Sequence, residues 1–251
     1  MTTRTYGFLA TRRWIALGTL IAALSILFVN LGFWQLRRWE ERKVDNAVLA
    51  ARMAAAPMSI EAAVAAAGDE LEGLRFRPAV AIGRYEPASA VRVRSQVFRG
   101  LAGYHVLTPL VLADGRAVIV NRGWVTLETD PLSVQPAEGT VEVLGHIQLN
   151  QAPGPFGPYD PPSGILTEVV RVDLGRLALQ MQWPLLPVYL TTIATDAALP
   201  QPVPLPDITA EGPHLSYAIQ WFSFTAVALG GFFALVRKSG KGQTRNNRDT
   251  G

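Results

Sequence analysis

The sequence predicts an α+β membrane protein. Two transmembrane helices, one towards each terminus, flank an extracytoplasmic antiparallel β-sheet or small β-barrel domain with short helices. Three observations carry this expectation: two long uncharged apolar stretches, period-two alternation confined to the middle of the chain, and basic residues gathered at both ends.

The first apolar stretch, Trp14 to Leu36, reads "WIALGTLIAALSILFVNLGFWQL"; the second runs from Leu215 to Val236. A helix rises about 1.5 Å per residue and the hydrocarbon core is about 30 Å thick, so either can cross it. In lipid, backbone groups are satisfied only within helices or closed barrels, so both stretches read as helices. The first is longer than the roughly 7–15 apolar residues of a signal peptide. Arg4, Arg12 and Arg13 precede it without an acid. Arg237, Lys238, Lys241, Arg245 and Arg248 follow the second against Asp249 alone. Positive flanks stay in the cytoplasm, which places both termini there. The expected division is a cytoplasmic tail over 1–13, a span over 14–36, an extracytoplasmic β-rich domain with a helical extension and a proline-rich linker over 37–213, a span over 214–236 and a basic cytoplasmic tail over 237–251. A bacterial plasma membrane fits this short amino-terminal flank better than a mitochondrial inner membrane.

Beyond Leu36, "RRWEERKVDNAVLAARMAAA" lacks Gly and Pro and continues the helix towards Pro57. Ser59 opens a short alanine-rich helix that stops at Gly68. From Leu74 the period becomes two: "FRPAVAIGRYE" and "VRVRSQVF" alternate as strands. "YHVLTPLVL" and "RAVIVNRGWV" flank Ala113-Asp114-Gly115, a hairpin turn. "GTVEVLGHIQL", "ILTEVVRV" and "PVYLTTIA" read as further strands. Asp173 is placed to cap a helix running to about Met181. Gln151–Gly164 is a Pro/Gly-rich loop, and "LPQPVPLPDITAEGP" is a stiff linker.

Composition removes several function classes. The chain has 251 residues, a net charge of +3 and no cysteine. Disulfides, thiolate metal sites and Cys nucleophiles are therefore excluded. The basic excess sits in the tails, which gives no reason to invoke nucleic acid. Four scattered methionines make a poor Cu(I) site. No G-x-S-x-G, phosphate-binding or dinucleotide motif is present. The expectation is a protein that is not an enzyme.

Three stretches together resemble the surfeit locus protein 1 family of cytochrome c oxidase assembly factors: "LGFWQLRRWEERK", "GYHVLTPLVLADGRAVIVNRGWV" with its Asn121–Trp124 "NRGW", and "HLSYAIQWF" from His214. Family members tend to carry a tryptophan after the late loop; Gln151–Gly164 offers only Phe156 and Tyr159. The resemblance implies a two-helix membrane protein that assists haem a insertion or maturation of oxidase subunit I. Its implied partners are subunit I, other oxidase subunits or assembly factors, and the lipid bilayer. The alternative is a haem-independent scaffold that stays on the mature respiratory complex.

The resemblance also implies a haem a-binding role for the histidine before the second helix, here His214. A neutral imidazole is a good axial ligand for haem iron. Tyr217, Trp221 and Phe224 follow at helical spacing and could pack on a porphyrin face. Arg122 could pair with a propionate. Opposed to this, aromatic residues gather at membrane interfaces without any ligand, and "NRGW" reads equally as a bulge with a core tryptophan. His105 and His146 read as structural. Asn30, Gly32 and Gln35 could serve pairing of the two helices with each other or docking onto oxidase helices. The charge asymmetry predicts that reporters fused after either terminal tail are active only in the cytoplasm. A fusion after Gly139 is expected to be active only outside; alkaline phosphatase and fluorescent-protein fusions measure both.

Overall fold

The computed structural model describes residues 7–193 and 200–246, with side chains through Lys241. Arg4, Ala194, Leu199, Arg248, Asp249 and the side chain of Arg245 lie outside that description. The described residues form two compact units. One comprises the chain through Ala47 together with the chain from Ile208 onward, and the other is Val48–Asp207.

The first unit is built from two helices. α1 runs unbroken over Arg12–Met53, so the apolar stretch and its polar extension are one helix of 42 residues. α4 spans His214–Asn246, continuing well past Val236 through a stretch that has Gly240 and Gly242 but no proline. Both are long and apolar enough to cross a membrane.

The second unit is a closed barrel. Its strands are β1 (Met58–Ser59), β2 (Pro78–Tyr85), β3 (Val91–Phe98), β4 (Leu101–Leu112), β5 (Ala117–Thr126), β6 (Thr140–Leu149), β7 (Glu168–Val169) and β8 (Leu185–Thr192). The short helices are α2 (Ile60–Ala67) and α3 (Leu174–Ala178). The order β2-β6-β8-β5-β4 returns to β2 through Gly83–Leu112, Arg84–Val111 and Tyr85–Leu110. Closure removes the two free edges that a five-stranded sheet would otherwise expose. β3 continues beside β4 where β2 leaves it, with β7 outside β3. Most pairings are antiparallel, but β5 and β8 run parallel, as do the marginal pairs β1–β2 and β3–β7. A long-range crossover of that kind leaves no mark in the local alternation from which an antiparallel sheet was expected.

Alternation sorts the side chains into two cores. Ala79, Ala81, Leu110, Val118, Val120, Ile147, Val188 and Leu190 point into the barrel, and Ile60 and Ala63 of α2 belong to the same buried cluster. The opposite face of β3, β4 and β5 carries Val91, Val93, Leu107 and Ile119, covered by Val169, Val172, Leu174 and Leu177. β5 is thus buried on both faces, which explains its nearly continuous apolar run. Ser59 caps α2 by accepting from the Ala62 N–H, and Asp173 caps α3 by accepting from the Arg176 N–H. The hairpin turn falls at Ala113–Gly115, where the Asp114 carboxylate accepts from the Arg116 N–H. "ILTEVVRV" makes only the two-residue β7. Asp160 accepts from the Val170 N–H, and the Gln151 side-chain oxygen accepts from the Val172 N–H. These side chains take the backbone donors that a longer ladder would have used.

Leu190 is fully buried at the barrel centre. Leu190→Ala is expected to cost about 2–5 kcal/mol, whereas Ile82→Ala, on the exposed outer face, is expected to cost well under about 1 kcal/mol. Urea unfolding of the full chain followed by tryptophan fluorescence measures the difference.

Candidate functional site

Helix pairing constructs the surroundings of His214. α1 and α4 run antiparallel, since Trp14 meets Phe232, Phe28 meets Phe224 and Trp221, and Phe33 meets Phe222. At Gly32 a Cβ would lie 2.6 Å from the Phe222 ring, so any larger residue would push that ring aside. Ala218 and Thr225 are buried on the same side of α4. Gly32 and Gln35 therefore serve the pairing of the chain's own helices. Asn30 bonds back to the Ile26 carbonyl at 2.7 Å within α1.

His214 is the first residue of α4. Its Nδ1 lies 2.9 Å from Oε1 of Gln35, itself 9 % exposed. An amide oxygen can only accept, so Nδ1 carries a proton; in the neutral imidazole Nε2 then keeps its lone pair. This is the arrangement in which a second group fixes the tautomer and orientation of a ligating imidazole. Nearby, the Trp39 indole donates to Glu211 at 2.6 Å and the Asn46 amide to the Ala210 carbonyl at 3.3 Å. These bonds tie the approach to α4 to the C-terminal part of α1.

The predicted aromatic stripe divides. Trp221 is half-buried, 5.4 Å from Phe28 and 5.8 Å from Phe224. Tyr217 is 46 % exposed. The imidazole fits an axial-ligand role, and Tyr217 is free to meet a flat apolar body. Trp221 already has ring partners within the helix pair. Among the described residues no three His, Asp or Glu side chains converge.

Arg122 belongs to the barrel unit. Its guanidinium donates to the Val134 carbonyl at 2.6 Å and the Gln135 carbonyl at 3.0 Å, and lies over the Tyr85 ring at 5.8 Å. Burial pushes the Tyr85 hydroxyl up to about 12, against the opposing pull of Arg122. Burial likewise lowers the pKa of Arg122. The "NRGW" motif is a β-bulge: β4 pairs Val106 with Gly123 and Leu107 with Asn121, leaving Arg122 extra. Gly123 has φ +135°, and a Cβ there would collide with the Gln201 carbonyl oxygen. That space admits a short antiparallel bridge in which Trp124 and Gln201 exchange both backbone bonds, at 2.6 and 2.8 Å. Trp124 is 2 % exposed and is a core residue.

His105, expected to be structural, meets Asn121 at the same bulge. Asn121 accepts from the Gly123 N–H with Oδ1 at 3.1 Å, and its Nδ2 lies 3.3 Å from Nδ1 of His105. The His105 proton therefore sits on Nε2. Beneath the proline-rich segment Gln201–Pro206 lie two cavities, one of about 320 Å³ reaching His105 and Asn121 and one of about 620 Å³ reaching His146 and Phe98. Their residues come from β3, β4, β5, β6, β8, adjoining loops and the linker, and no local pattern joins them.

Burial depresses the His105 pKa to about 4, and that of His146 is also lowered by burial. The folded state thus disfavours protonation, while the unfolded chain binds a proton near pH 6.5. Stability is full above about pH 6.5 and falls as the pH drops towards about 4, by on the order of 3 kcal/mol from His105. His105→Gln is expected to flatten this slope, measured by urea midpoints between about pH 4 and 7.

Comparison with known proteins places these motifs in one lineage. The family model described as SURF1 family matches residues 22–226. A SURF1-like protein of Monosiga brevicollis is 28 % identical, covering 92 % of each chain. A SURF1-like protein of Mycobacterium bovis is 26 % identical over 91 % of this chain and 86 % of its own. Surfeit locus protein 1 of Xenopus tropicalis is 24 % identical over 82 % of this chain and 71 % of its own. With the match running from inside α1, through the whole barrel, into α4, the chain belongs to the SURF1 family.

Proposed function

We propose that this protein is a membrane-anchored assembly factor for haem-copper cytochrome c oxidase, and that it assists haem a insertion or maturation of subunit I. On this reading it is not an enzyme. Both termini lie in the cytoplasm and the barrel outside, in a bacterial plasma membrane. Its partners are subunit I, other oxidase subunits or assembly factors, and the bilayer.

The observation that carries the reading is the His214–Gln35 bond, which presents an imidazole lone pair at the start of α4. One nitrogen does not hold a bare metal ion firmly. It suits iron that arrives with four ligands of its own, as in a porphyrin. Haem at His214 is then cargo: the imidazole supplies an axial ligand, Gln35 orients it, and Tyr217 meets the macrocycle. A haem-independent scaffold is the second reading. The engagement of Trp221 by Phe28 and of Arg122 by the Val134 and Gln135 carbonyls favours it.

A deletion strain is expected to make subunit I normally but to hold less spectrally detectable haem a in the oxidase. Normal haem content and oxidase activity in that strain would refute the assembly reading. The purified chain is expected to show a Soret band that is lost in His214→Ala, with haem retained about tenfold less tightly in Gln35→Leu. A colourless wild-type protein whose deletion still lowers oxidase activity selects the scaffold.

A further inference from the structure

The two cavities of the barrel unit share Thr191, Val203, Pro204 and Leu205, so they are two arms of one trough beneath the linker strap. The arms differ in chemistry. The smaller holds the polar side chains of Gln96, His105, Asn121, Gln148, Gln151 and Thr191, with the Tyr189 hydroxyl, and among the described residues no charged one lines it. Gln151 donates to that hydroxyl at 3.0 Å. His105 directs its proton to Nε2, and among the described residues no acceptor is bonded there. Burial keeps both ring systems neutral at physiological pH, with His105 near 4 and Tyr189 near 12. The larger arm is mainly apolar, with Val97, Phe98, Ile193 and Leu205 on its walls. Among the described residues, Arg99 is the charged one lining it, with its guanidinium over the Phe98 ring at 5.1 Å.

Pro200, Pro202, Pro204 and Pro206 remove the backbone donor at every second position, so the segment cannot extend its ladder along β5. Among the described residues, the Trp124–Gln201 bridge is the backbone pairing that pins it.

We propose that this trough binds an elongated amphipathic molecule with an uncharged, hydrogen-bonding head. The head sits among His105, Gln148, Gln151 and Thr191, and the apolar tail lies along Val97, Phe98, Ile193 and Leu205 beneath the strap. A carboxylate or phosphate head would be desolvated there with no cation among the described residues lining that arm, Arg75 acting on Tyr189 only through its field, which is costly. A neutral carbonyl or hydroxyl head finds donors and acceptors already in place. The site lies wholly within the barrel unit and does not depend on the role proposed for His214.

The test uses the full chain in phosphatidylcholine nanodiscs and a monoacylglycerol carrying a diazirine near its chain end. After irradiation, mass spectrometry is expected to find adducts on Val97–Phe98 and on 202–205, suppressed by unlabelled monoacylglycerol. Val203→Trp, which fills the junction of the arms, is expected to reduce them about tenfold, as is replacing the probe head with a carboxylate. Thermal melting confirms that the variant is folded; the competition and head-group comparisons use unaltered protein. Adducts confined to α1 and α4, adducts that do not saturate, or equal labelling by the carboxylate probe would each overturn the proposal. So would a benzoylphenylalanine at position 203 that cross-links in cells to another polypeptide.

Discussion

The carboxamide of Asn121 is the constraint around which the barrel unit is organised. By accepting from the Gly123 N–H it holds a one-residue bulge in β5, a strand buried on both faces. The bulge changes which way successive side chains point. Arg122 is set against the Val134 and Gln135 carbonyls, Trp124 enters the core against Phe98, and Gly123 opens the space in which Gln201 pairs. The same amide fixes the tautomer of His105. One polar side chain, itself 4 % exposed, thus connects a strand distortion, a core tryptophan, a neutral histidine and the entry of the linker. A buried polar group with all its partners present rigidifies what surrounds it, and one deprived of them is costly.

The helix unit follows a different logic. Between two helices in lipid, close packing and a few polar contacts supply the attraction, because the surrounding chains are as apolar as the side chains. Gly32 lets Phe222 approach, aromatic rings fill the seam, and Gln35 meets His214 where the apolar run of α4 begins. The glutamine has two consequences: it contributes to helix pairing, and it fixes which nitrogen of the neutral imidazole carries the proton.

Residues whose role depends on short-range rules were legible in the sequence. Ser59 and Asp173 cap the helices foreseen for them, Ala113–Gly115 makes the foreseen turn, and Gly123 marks the foreseen bulge. The partners of His214, Arg122 and His105 were not legible. Gln35 stands 179 residues from His214, and nothing local announces that they meet. Arg122 was open to pairing with an anion until the two carbonyls that receive it were located. His105 read as an unremarkable alternating strand residue, because the trough above it is assembled from several strands and a linker distant in the chain.

What the sequence determined by itself was the kind of object: two apolar helices, a β-rich middle and charged ends. Hydropathy, periodicity and charge act over a few residues, so they survive in a one-dimensional record. Tertiary structure alone decided that the sheet closes through β2 and β4, that β5 and β8 run parallel, and that a proline-rich linker roofs a cavity. Those outcomes depend on which distant strands bury each other's faces, a free energy that belongs to the whole barrel and to no segment of it.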